Sequence, residues 1–82
     1  MTRSHEELYR QYCELIERTV NERLGRPLTQ REKSAIWRAG SLMMLEVVDR
    51  ALDAAGSADE LATVLEETAK AWDKRDYRDK SQ

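Results

Sequence analysis

Three hydroxyl–glutamate pairs at one fixed spacing, Ser4/Glu7, Thr29/Glu32 and Ser57/Glu60, constrain this chain more than any other feature. Each pair fits a capping box. The hydroxyl and the carboxylate three residues later bond the backbone N–H groups that a first helical turn leaves without partners. Stops alternate with these starts, since Gly25 lies four residues before Thr29 and Gly56 directly precedes Ser57. Glycine tolerates the left-handed conformation that closes a helix. The spacing therefore predicts an all-α chain of three helices at about residues 4–24, 29–55 and 57–72, followed by a charged tail at 73–82.

Apolar periodicity fills in the faces. In the first helix Leu8, Tyr12, Leu15, Ile16, Thr19 and Val20 recur at three- and four-residue steps, with Tyr9 and Cys13 widening the stripe. Pro27 holds Arg26 away from helical angles, and Leu28 is placed to staple the start of the second helix. That second helix is expected to be the long central element, about 40 Å from end to end. A wheel drawn through it puts Ile36, Ala39, Gly40, Met43, Val47 and Ala51 on one face. Trp37, Met44, Val48 and Ala55 continue that surface, and Leu45 and Leu52 extend it further. A helix with apolar surface over half its circumference needs more than one neighbour. In the third helix Leu61, Val64, Leu65, Thr68 and Trp72 face inward. Beyond them the tail carries at most a turn or two of further helix before fraying. The expected architecture is a three-helix bundle around the second helix, completed by dimerisation.

Size and charge narrow the functional classes. The chain has 82 residues, 40% hydrophobic and 37% charged, with a formal net charge of -2. A domain this small buries only about 60% of its unfolded surface, so good packing or a partner is needed for stability. Two unbalanced negative charges are too few to imitate the phosphates of DNA, and the chain is not basic enough for generic nucleic-acid binding. Cys13 stands alone, so a disulfide-stapled domain is excluded. No signal peptide and no membrane span is predicted. The longest mostly apolar run, Leu42 to Val48, contains Glu46 and is far too short to cross a bilayer. A cytoplasmic protein is expected.

No catalytic constellation is present. His5 and Cys13 are the single histidine and the single cysteine, which falls short of the three or four ligands of a zinc site. A Cys–His nucleophile would need an orienting group and an oxyanion pocket, and no residue pattern supplies either. The three glycines are isolated, so there is no phosphate loop. Catalytic, cofactor and metal sites are all expected to be absent.

Two binding features remain. Arg26, Arg31, Lys33 and Arg38 concentrate positive charge around the start of the second helix, where a phosphate, an acidic partner or a nucleic-acid backbone could be held. Leu28-Thr29-Gln30-Arg31-Glu32, followed by Ala35, Ile36, Gly40 and Ser41, resembles the opening of the LuxR-type helix-turn-helix. Over these fifteen or so residues the resemblance implies DNA reading by a polar recognition helix after Gly40. The chain departs from that pattern with Leu42-Met43-Met44-Leu45-Glu46-Val47-Val48, whose side chains suit a core rather than a groove of DNA.

The apolar excess of the second helix points instead to a protein surface. Trp37, Leu42, Met44, Leu45, Val48 and Leu52 are the expected interface to a partner or to a second copy. Methionine and tryptophan there supply adaptable and aromatic contact area. The expected role is a small non-catalytic interaction module, such as an adaptor, regulator or inhibitor, of the kind found among bacterial, phage or plasmid accessory proteins. A nucleic-acid-binding regulator using the basic cluster is the alternative.

Overall fold

A computed structural model of the chain describes residues 4–80, and these form four helices: α1 His5–Leu24, α2 Gln30–Trp37, α3 Leu42–Ala54 and α4 Ala58–Lys80. The all-α class holds. The three-helix division does not, because the long central helix expected at residues 29–55 breaks at residues 38–41 into α2 and α3. The third expected helix continues past Trp72 to Lys80, about the further turn or two allowed for the tail. Residues 1–3 of the expected domain and 81–82 of the expected tail lie outside the described residues.

The helix starts follow from the caps. Ser4 Oγ accepts from the Glu7 N–H at 3.2 Å and opens α1. At α2 the box is complete: Thr29 Oγ1 accepts from the Glu32 N–H at 3.1 Å, and Glu32 Oε1 accepts from the Thr29 N–H at 2.8 Å. At α4 Ser57 Oγ takes the Glu60 N–H, while Glu60 Oε2 reaches back to the N–H of Gly56. Gly25, at φ 71°, closes α1 in the left-handed conformation. A fourth cap explains the break. Ser41 Oγ accepts from the Met44 N–H at 3.2 Å and starts α3, and Gly40 before it sits at φ 93°.

The chain measures 40 × 36 × 21 Å. Its short dimension is about two helix diameters of ~10 Å each, so the helices form two layers. α1 and α4 each pack on all three of the other helices, and α2 packs most extensively on α4. The core between them contains Cys13, Ile16 and Val20 of α1, Ala35 and Ile36 of α2, Leu45, Val48 and Leu52 of α3, and Leu61, Leu65, Ala69 and Trp72 of α4.

The break resets the helical phase. Leu45, Val48 and Leu52 are buried, so three of the residues expected at an outer interface are core. Met43, Val47 and Ala51, expected on one face with Ile36 and Ala39, are exposed whereas Ile36 and Ala39 are buried. In α1 the buried stripe is centred on Tyr9, Cys13, Ile16 and Val20, which leaves Leu8 and Leu15 exposed. In α4 Leu61, Leu65 and Trp72 are buried as expected, with Val64 and Thr68 partly so.

Candidate functional site

Interrupting a helix leaves its last carbonyls without N–H partners, and each must be satisfied elsewhere. At the end of α2 the Ala39 N–H bonds to Ile36 O rather than to Ala35 O. Three side chains from α1 and α4 take up the carbonyls left over. Trp72 Nε1 donates to Ala35 O at 2.7 Å. Tyr9 Oη donates to Trp37 O at 2.7 Å and accepts from the Gly40 N–H at 2.9 Å, so one phenol spans the turn. Arg75 donates from Nη2 to Arg38 O at 2.6 Å and from Nη1 to Ala39 O at 3.0 Å, while its guanidinium lies 4.5 Å from the centre of the Trp72 ring. Burial raises the Tyr9 phenol above its ordinary pKa, which keeps it a donor.

This braced turn borders a groove of about 730 Å³. Tyr9 and Arg10 line it from α1, Trp37 from α2, and Gly40, Leu42 and Met43 from the turn and α3. Trp37 is half-buried, and its Nε1 donates to Glu17 Oε2 at 2.8 Å, which fixes the indole plane. From the rim of the groove the apolar surface continues along α3. Met43 is 75% exposed and Val47, one turn later, is 55% exposed, with Met44 beside them at 36%. Of the six expected interface residues, then, Trp37, Leu42 and Met44 remain accessible, and only Trp37 and Leu42 line the groove.

The basic cluster is divided rather than gathered. Arg26 pairs with Glu32 at 2.8 Å beside the α2 cap. Lys33 lies 3.8 Å from Glu17 of α1. Arg31 and Arg38 face α4, where Arg31 meets Glu66 at 2.8 Å and Asp73 at 3.1 Å, and Arg38 meets Asp73 at 2.9 Å and Asp76 at 2.6 Å. The Arg38 guanidinium, followed by that of Arg31, holds the Asp73 carboxyl below its ordinary range, and Arg38 does the same for Asp76. All four cations of the expected anion site are thus engaged with acids of the same chain. On α3 the exposed polar residues are Glu46, Arg50 and Asp53, a mixture with acids in excess that does not complement phosphates.

The remaining chemistry-bearing residues are dispersed. His5, exposed in the first turn of α1, lines the groove together with Glu6, whereas Cys13 is fully buried and burial pushes its thiol up to about 11. Among the described residues no three His, Cys, Asp or Glu side chains converge as a metal site, and no helix is long and apolar enough to cross a membrane.

Sequence reasoning did not find Tyr9, Arg75 or the Trp72 indole N–H as supports of the groove. They lie 28 to 37 residues from the carbonyls they bond, and no local pattern encodes that pairing. One signal for the turn was present. Gly40-Ser41 repeats the Gly56-Ser57 dipeptide that separates the last two helices. No protein-family model, curated protein or solved structure matches the chain.

Proposed function

We propose that this chain is a small, non-catalytic protein–protein interaction module, an adaptor, regulator or inhibitor of the cytoplasm that acts by occupying a partner's surface. The observation that carries the reading is the exposure of Met43 and Val47 in continuity with a groove lined by Trp37 and Leu42. Large apolar side chains clustered beside a concavity mark sites of association rather than inert surface. Methionine suits such a site because its unbranched side chain adapts to the shape of what it meets. The internal neutralisation of Arg26, Arg31, Lys33 and Arg38 favours this reading over phosphate binding.

The test combines sedimentation with capture from the native host after nuclease treatment, at low and moderate salt, for the wild type and for Met43→Asp. A dimer that Met43→Asp converts to a monomer of unchanged helicity identifies the partner as a second copy of the chain. A monomer that retains a stoichiometric protein through nuclease and salt, and loses it with Met43→Asp, identifies a different protein. Recovery of nucleic acid alone, released as salt rises and abolished by charge reversal at Arg31 and Lys33, refutes the proposal, because counterion release makes phosphate binding steeply salt-dependent.

A further inference from the structure

Trp72 is the last buried residue of α4 among those described. After it come Asp73, Lys74, Arg75, Asp76 and Tyr77, and the single large apolar side chain among these, Tyr77, is 75% exposed. Two different forces therefore hold the two parts of one helix. Leu61, Leu65, Ala69 and Trp72 fasten the first part by burial. The second part is fastened by charge: Arg38 to Asp73 and Asp76, Arg31 to Asp73, and Arg75 to the Arg38 and Ala39 carbonyls. The side chains of Asp73, Arg75 and Asp76 are 40 to 48% exposed, so solvent ions reach these contacts.

The same contacts support the turn that borders the groove. Arg75 supplies the donors for the last two carbonyls before Gly40, and its Nη1 lies 3.7 Å from where a Gly40 Cβ would stand. Withdrawing residue 75 leaves both carbonyls to water and leaves Tyr9 as the one side chain bridging the turn. Salt does not screen apolar burial, whereas it weakens exposed ion pairs.

We propose that residues 73–77 form an electrostatic latch, which leaves the bundle as a unit when its charges are screened and thereby loosens the turn at residues 38–41 beside the groove. The consequence for partner binding rests on the function proposed above. The latch itself does not, and it is tested without any ligand.

The experiment is hydrogen exchange of the full chain at about 0.01 M and about 1 M NaCl, where the Debye length falls from about 30 Å to about 3 Å. Amides of residues 74–77 are expected to exchange about tenfold faster at high salt and those of 38–40 about threefold faster, while residues 61–69 change less than twofold. An Asp73→Asn/Asp76→Asn double variant should show the high-salt pattern already at low salt and lose the salt response. Glu67→Gln, which removes an exposed partner of Lys70 elsewhere on α4, should behave as wild type. A salt response equal along all of α4 overturns the latch. A response at 74–77 with none at 38–40 overturns its coupling to the groove, and so the proposal. Either result leaves the Met43→Asp experiment standing on its own.

Discussion

Tyr9→Phe removes one oxygen atom and tests whether the break between α2 and α3 is held from outside. That oxygen bonds both sides of the turn, donating to Trp37 O at 2.7 Å and accepting from the Gly40 N–H at 2.9 Å. A hydrogen bond contributes a net ~0.5–1.5 kcal/mol, and a buried group left unsatisfied costs more than the bond it loses. Gly40 is exposed and its N–H can turn to water, whereas the bond to Trp37 O is partly buried. The loss is therefore about 2 kcal/mol, against a total stability of roughly 4–12 kcal/mol for a chain of this length. For so small a domain that lowers Tm by about 8–16 °C. Urea and thermal unfolding followed by circular dichroism measure it, with Tyr77→Phe as the control. The Tyr77 ring is 75% exposed, and its variant should stay within about 0.5 kcal/mol of wild type. If Tyr9→Phe also falls within that margin, the turn is stable without its bridge and the account of the break is wrong.

Three further predictions follow from the same geometry. Leu45→Ala should cost roughly 3–5 kcal/mol in denaturant unfolding because the side chain is fully buried, whereas Met43→Ala should cost less than about 1 kcal/mol. The Glu32 carboxyl is lowered to about 2, chiefly by the hydrogen bond from Arg26 and then by the Thr29 N–H. A depressed native pKa stabilises above the unfolded value and loses that contribution as pH falls through the native one. Wild type minus Glu32→Gln stability should accordingly be about 1–2 kcal/mol at pH 7 and vanish between about pH 4.5 and 2. Native Cys13 should resist thiol reagents at pH 8, its thiol being buried and raised to about 11, and should react fully once urea unfolds the chain; rapid native labelling would contradict this burial.

What the sequence made legible was local. Ser4, Thr29 and Ser57 announce their helices because cap and glutamate lie three residues apart; each hydroxyl makes the expected bond, the box is complete at Thr29, and Glu60 turns to the Gly56 N–H instead of that of Ser57. Ser41 caps a helix equally well but has Met44 where the others have glutamate, so half of its signature is absent. Missing that one cap had a disproportionate effect. A helical wheel drawn through residues 38–41 carries its phase across a turn that has none, so it groups Met43 and Val47 with buried Ile36 and puts Leu45 and Leu52 at an outer interface. Begun afresh at Leu42, the Leu45–Val48–Leu52 spacing already describes a buried stripe. The candidate site was less accessible still. Arg31 and Arg38 read as free cations because the acids that neutralise them lie 35 to 42 residues away. Trp37, expected at an interface, is half-buried and lines the groove, and the turn beside it is bonded by Tyr9 and Arg75, which arrive from opposite ends of the chain.

The shortness of α2 has a consequence for how the chain matures. Eight residues make about two turns, and a helix that short is not stable by itself in water. Its Ala35 carbonyl waits for the indole of Trp72, and the Arg38 and Ala39 carbonyls just after it for Arg75. During synthesis α1 and α3 can begin to coil as they emerge, and Tyr9 of α1 can meet the Trp37 carbonyl early, yet the Ala35 carbonyl and the turn after α2 lack their α4 partners until residues 72 and 75 have left the ribosome. The turn and the groove above it are then among the last features of the molecule to form, and a chain truncated at residue 70 would have most of its helices and no finished surface.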